Sequence, residues 1–94
     1  MQFQLRDYRI KPDEMDDWIA EWSANVRPLR EKFGFQIVGA WTIPQDDRFI
    51  WILARDDFEP ADRRYYDSIE RRSIKPDPAR HIAATTHLFM DIVR

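Results

Sequence analysis

The chain has 94 residues, 44% of hydrophobic type and 34% charged, with 15 basic and 17 acidic side chains and a formal net charge of −2. That length supports one core, the composition is that of a globular domain, and the charge balance excludes a polybasic nucleic-acid or membrane binder. No cysteine is present, which excludes disulfides, thiolate metal sites and thiol nucleophiles.

Phe3 to Ile10 reads as a strand, ended by Lys11-Pro12-Asp13 because Pro12 cannot donate to a ladder. A long helix follows, with Asp13 as its expected cap and acid at Glu14, Asp16 and Asp17 in the first turn. Met15, Trp18, Ile19, Trp22, Val26, Leu29 and Phe33 fall on one inward stripe. Pro28 removes the bond back to Ala24, which predicts a kink or a short second segment near Asn25. Gly34 is the expected left-handed stop.

Phe35 to Ile43 is a second strand, and Pro44 to Arg48 a polar turn. Phe49 to Arg55 is a third strand, joined to the second as an antiparallel hairpin; its nearly unbroken apolar run predicts a central position. A second helix is expected over Phe58 to Arg72, with Ala61, Tyr65 and Ile69 inward. Lys75-Pro76-Asp77-Pro78 makes a loop, and Ala84 to Val93 a last strand. The order βαββαβ predicts an α+β, ferredoxin-like domain spanning residues 1–94, with two helices on one face of a four-stranded antiparallel sheet.

Strand alternation divides the sheet into two faces. Leu5, Val38, Ala40, Ile50, Ile52, Leu88, Met90 and Ile92 are expected under the helices, being small or aliphatic. Gln4, Arg6, Tyr8, Ile37, Trp41, Phe49, Trp51, His87, Phe89 and Asp91 then lie on the opposite face. That second set is too apolar to stand open to water, so it predicts a homodimer packed sheet to sheet on a two-fold axis.

Few residues point to chemistry. His81 and His87 are the only histidines, and neither sits in a metal signature; no metal or cofactor is expected. A base role for His87 needs an acidic or backbone partner from another strand, such as Asp7 or a residue of a second copy; His81, in the loop after Pro78, reads as a helix-end or surface histidine. Gly34 and Gly39 are the only glycines, so phosphate-cradling loops are absent, and no nucleophile elbow surrounds Ser23, Ser68 or Ser73. Of the 15 basic residues only Lys11, Lys32 and Lys75 are lysines, leaving 12 arginines, the side chain suited to carboxylates and other planar anions. The most suggestive group is Arg6 beside Tyr8 and Trp41: a fixed cation in an aromatic chamber. With Trp51, Tyr66 and His87, these residues form the candidate site for a small aromatic or acidic molecule. Tyr65 falls on the core stripe instead.

Taken together, Leu5-Arg6-Asp7-Tyr8, Lys11-Pro12, Pro28-Leu29-Arg30-Glu31-Lys32-Phe33-Gly34, Gly39-Ala40-Trp41-Thr42, Phe49-Ile50-Trp51-Ile52 and Tyr65-Tyr66 resemble the NIPSNAP family in order and spacing. Members often carry Gly where this chain has Asp13. The resemblance implies a ferredoxin-like protomer, a dimeric α/β barrel and little settled biochemistry. The wider group of such barrels is similar to cofactor-independent monooxygenases and haem-degrading enzymes, an analogy of fold. Two functions follow as expectations: a homodimeric, cytoplasmic small-molecule-binding protein, with or without monooxygenase-like chemistry, or a non-catalytic interaction or stress-associated protein. Neither a nucleic acid nor a membrane is an expected partner.

Overall fold

The structure is a computed structural model describing residues 1–94. The first strand, β1 (Gln2–Ile10), buries every second residue, Gln4, Arg6, Tyr8 and Ile10. It pairs antiparallel with both β3 (Arg48–Arg55) and β4 (Ile82–Met90), and β3 pairs antiparallel with β2 (Gln36–Ile43). The sheet order is β2-β3-β1-β4, so β3 is central, as its apolar run predicts. The expected ferredoxin-like βαββαβ order is observed.

The first helical stretch is not uniform. α1 (Met15–Glu21) passes into a π-helical segment, Trp22–Val26, and then into α2 (Arg27–Lys32). The wide turn follows from Pro28, which has no N–H to return to Ala24; ahead of it, the Arg27 N–H bonds the Trp22 carbonyl, five residues back. The expected kink near Asn25 is thus a π bulge, which keeps Trp18, Trp22 and Val26 all inward and buries Arg30 as well. Asp13 does not cap: it sits before the helix in the left-handed region, at φ 66°, and the cap position falls on Glu14, which makes no side-chain cap bond. Gly34 stops α2 at φ 88°, and the Arg55 guanidinium fills the space a Cβ would take there.

The second helix breaks. α3 (Phe58–Asp67) ends at Ser68, whose backbone is extended. The Ser68 hydroxyl accepts from the Arg71 N–H and so caps a separate single turn, α4 (Ile69–Arg72). Ile69 is consequently exposed rather than inward.

The faces of the sheet are the reverse of those expected. Tyr8, Phe49, Trp51 and Leu53 lie under the helices with Trp18, Trp22, Val26, Phe58 and Tyr65. The rings are accommodated because both layers supply them and they meet edge to face: Tyr8–Trp18 at 5.7 Å, Trp18–Phe49 at 5.5 Å, Trp22–Trp51 at 5.5 Å. Helix packing therefore did not demand an aliphatic sheet. The open face carries Leu5, Ile50, Ile52, Leu88 and Met90. β2 obeys both phases, because its register slips between Ile37 and Gly39. Ile37 and Ala40 pack against the core, whereas Trp41, opposite Ile50, is on the open face and half exposed.

No helix is long and apolar enough to cross a membrane.

Candidate functional site

Alternation on β1 points Gln4, Arg6 and Tyr8 toward the helices. A fully buried guanidinium must find acceptors for its donors, and Arg6 finds four. Its Nε donates to Gln4 Oε1 at 2.7 Å and its Nη2 to Asp62 Oδ1 at 3.0 Å. Its Nη1 donates to Tyr66 Oη at 3.0 Å and to Tyr8 Oη at 3.4 Å. Arg30, on α2 and also buried, donates to the same Asp62 Oδ1 at 2.6 Å and stacks on the Tyr65 ring at 3.8 Å. Trp51 lies 5.9 Å from both guanidinium carbons. Two buried cations thus share one carboxylate, leaving a positive charge in excess inside the fold.

Tyr8, Arg30, Trp51, Tyr65, Tyr66 and Arg71 are among the residues lining a cavity of about 60 Å³, closed on one side by the Pro78-Ala79 turn. Several of these residues hold buried donors for which the protein offers no acceptor: Arg30 Nε, Trp51 Nε1, Tyr65 Oη and Arg71 Nε, joined by Trp18 Nε1 on the same wall. A buried donor without an acceptor costs about 1–3 kcal/mol, so a wall rich in them favours an occupant rich in oxygen lone pairs.

Burial lifts the Tyr8 phenol above its ordinary value, with Arg6 pulling the other way. Burial likewise lifts Tyr65, opposed by Arg30. Both are therefore neutral O–H groups at neutral pH. His87 is pushed below 6.5 by burial first and the Arg6 charge second, so its imidazole is neutral there too. The arrangement offers donors and one net positive charge to an oxyanion.

Of the sequence-derived candidates, Tyr8, Trp51 and Tyr66 line the cavity, and Arg6 lies behind its wall, bonded to the hydroxyls of Tyr8 and Tyr66. His87 lies on the edge strand β4, opposite Arg6, its ring centroid 6.2 Å from Tyr8. Trp41 does not join them: the β2 bulge turns it onto the open face. Asp7 is also on that face, paired with Arg48 through two hydrogen bonds, and is no partner for His87. Arg30 and Asp62 were not singled out by sequence reasoning. Their signal was helical spacing: Trp22, Val26 and Arg30 follow at intervals of four, as do Phe58, Asp62 and Tyr66. Tyr65 is a core residue, as its position on the stripe implies, but one whose hydroxyl is left without a partner.

His81 ends the short 3-10 helix Pro78–His81, the helix-end place expected of it, but is buried rather than at the surface, between the carboxylates of Glu14 and Glu21. Its Nδ1 is 2.8 Å from Glu14 Oε1 and its Nε2 2.8 Å from Glu21 Oε2. Arg80 adds two bonds to Glu21, at 2.7 and 2.8 Å. No group of three or more His, Asp and Glu side chains is placed to hold a metal ion.

The NIPSNAP family model matches residues 3–46. No curated protein matches the chain by sequence. Solved structures match along its length. An uncharacterised NIPSNAP domain protein from Burkholderia xenovorans superposes with a TM-score of 0.86 at 14% identity, covering 99% of this chain and 95% of that one. A NIPSNAP family protein from Agrobacterium tumefaciens gives 0.87 at 11% identity, covering 98% and 92%. A putative antibiotic biosynthesis monooxygenase from Nitrosomonas europaea gives 0.72 at 11% identity, covering all of both chains. At such identities these structures speak to fold alone. The chain is thus NIPSNAP-like, carrying the family's sequence pattern over residues 3–46 and, from end to end, the ferredoxin-like fold of its solved members.

Proposed function

We propose that this protein binds a small acidic or phenolic molecule in the chamber between sheet and helices, and that two copies join through their open sheet faces. The observation that carries the binding reading is the chamber wall: Arg30 lines it beside several buried donors with no acceptor, and Arg6 behind the wall shares with Arg30 a single carboxylate. An oxyanion balances the charge and satisfies the donors at once. Arg6, Tyr8, Trp51, Tyr66 and His87 shape the site, with Arg30 and Tyr65 added. Trp41 belongs to the proposed interface instead, with Leu5, Ile50, Ile52 and Leu88. The reading places the protein in the cytoplasm, in keeping with a chain that uses no disulfide.

The test is a titration of 15N-labelled protein with benzoate and 4-hydroxybenzoate, with benzyl alcohol as the uncharged control. The expected result is saturable shifts of the Trp51 indole and Arg30 Nε–H resonances with the anions and weak or no shifts with the alcohol. Unmoved resonances at millimolar anion would overturn the reading and leave a non-catalytic interaction protein whose rings serve packing alone.

A second reading, cofactor-independent oxidation of the monooxygenase type, is favoured by the neutral imidazole of His87 beside Tyr8 and by the shared fold of the Nitrosomonas europaea protein. In that reading His87 takes a proton from the bound phenol or enol and the Arg6–Arg30 pair stabilises the resulting oxyanion. Oxygen uptake with an anthrone-like phenol, lost in His87→Ala while ligand shifts persist, is its test.

A further inference from the structure

The chamber, at about 60 Å³, has room for about four or five water-sized groups, enough for a carboxylate or phenol oxygen and its attachment but not for a whole metabolite. The rest of any ligand must lie outside. Tyr66, Arg71 and Ala79 line both the chamber and an open groove of about 370 Å³ on the outer surface, so the two spaces adjoin. Tyr66 bridges them physically: its hydroxyl meets buried Arg6, while its residue is 42% exposed.

The groove is built from α4 and the loop after it, with Arg72, Ile74, Lys75 and Asp77 completing its wall. Asp77, its one acid, is engaged by Arg71 at 3.0 Å. Glu70, the acid of the same short helix, reaches Lys32 at 3.7 Å instead. Arg72 meets only a backbone carbonyl, that of Ser68, at 3.4 Å, and neither Arg72 nor Lys75 has a carboxylate at ion-pair distance. The groove therefore presents two uncompensated cations beside an apolar floor at Ile74, next to a chamber that already prefers an oxyanion.

We infer that the ligand is an elongated dianion, its first anionic head in the chamber and its second held in the groove by Arg72 and Lys75. This rests on the chamber reading and adds to it a second subsite. The chemical class is an acid or phenol carrying a further carboxylate or phosphate at its far end. Charge attraction at an open groove is screened by salt, so the second subsite's contribution falls as ionic strength rises.

The experiment compares 3-phenylpropanoate with 3-(4-carboxyphenyl)propanoate, which differ by one carboxylate. Dissociation constants are read by calorimetry in 20 mM and 500 mM NaCl, for wild type and for the double variant Arg72→Gln/Lys75→Gln. The expected result is at least tenfold tighter binding of the dianion at low salt. That advantage should shrink at high salt and vanish in the double variant, whose affinity for the monoanion stays at the wild-type value. A dianion that binds no tighter than the monoanion, or an advantage that survives in the double variant, overturns the second subsite and leaves the chamber reading standing. Wild type that binds neither anion removes both.

Discussion

At the scale of single residues, the acid that matters most is Asp62. Its Oδ1 receives both buried guanidinium groups, so Asp62→Asn leaves two interior cations with no counter-charge. The expected cost is about 2–3 kcal/mol in urea unfolding, below the usual range for a fully buried pair because the Asp62 side chain is 24% exposed. Asp7 is the control. It pairs with Arg48 where both side chains are partly exposed, and Asp7→Asn should cost far less than Asp62→Asn. Equal losses at the two sites would contradict the idea that the interior charge excess is what makes Asp62 special. Backbone conformation gives a second residue-scale outcome. Asp13 holds φ 66°, a region where glycine is unstrained, and its side chain performs no capping bond. Asp13→Gly is therefore expected to raise stability by about 0.5–1 kcal/mol, measured by the shift in urea midpoint at constant slope.

At the scale of elements, the clamp between α1 and the Pro78–His81 turn controls how firmly one wall of the chamber is held. Both His81 nitrogens face carboxylate oxygens, an arrangement that suits the doubly protonated ring. Hydrogen bonding to Glu21, with Glu14 assisting, accordingly raises His81 above 6.5. Glu21 is lowered below 4.5, chiefly by its bonds to Arg80. A raised histidine contributes fully below 6.5 and loses its contribution as pH climbs through the folded value; a lowered glutamate contributes fully above 4.5 and loses it as pH falls through its folded value. The clamp is thus strongest between about 4.5 and 6.5. The stability gap between wild type and His81→Gln, followed by urea unfolding, should be widest near pH 6 and narrow toward pH 9; a gap independent of pH would show that His81 acts by packing alone. None of this was legible in sequence, where Glu14, Glu21 and His81 stand at distant positions and only the fold joins them. The elements themselves were largely legible. Pro28, Gly34 and the apolar run of β3 each announced the feature found there, because each is a local backbone or burial constraint. The break at Ser68 also had a local signal, a capping serine ahead of an acidic turn, that the expected continuous helix passed over. Strand phase was different. Alternation in β1 gives two sets, Gln4-Arg6-Tyr8 and Leu5-Asp7-Arg9, and nothing within the strand says which set meets the helices. Trp18, Trp22 and Tyr65 decide it, by supplying rings that only other rings can pack against edge to face. The one-residue slip in β2 then moved Trp41 away from the site; its local mark was Gly39, an isolated glycine inside a strand run, which the expected simple alternation passed over.

At the scale of the whole molecule, the reversed faces change the dimer argument without removing it. The polar-aromatic set is satisfied within one protomer, so it no longer calls for a second copy. The aliphatic set takes its place. Leu88 is 55% exposed, Trp41 51% and Val38 48%, with Leu5, Ile50 and Ile52 partly exposed among them on one sheet face. At one end of the same face Asp7, Arg9, Asp46 and Arg48 gather both signs of charge, which lets an identical face rotated by a two-fold axis oppose acid to base. A domain of this size hides only about 60–65% of the surface of its unfolded chain, so covering this face adds stability a lone protomer lacks. Linkage makes the consequence measurable. If the folded dimer is the stable species, Tm rises with protein concentration, and the rise disappears when the interface is destroyed. Leu88→Glu places a charge on the apolar face, on its β4 side, while touching no residue of the chamber. It is expected to yield a monomer by sedimentation equilibrium at 50 µM, to lower Tm by several degrees and to make Tm independent of concentration. Anion titration should still move the Trp51 indole in that variant, since the chamber lies on the other side of the sheet. A wild-type protein that sediments as a monomer at 50 µM, with the same Tm at 5 and 100 µM, would overturn the dimer.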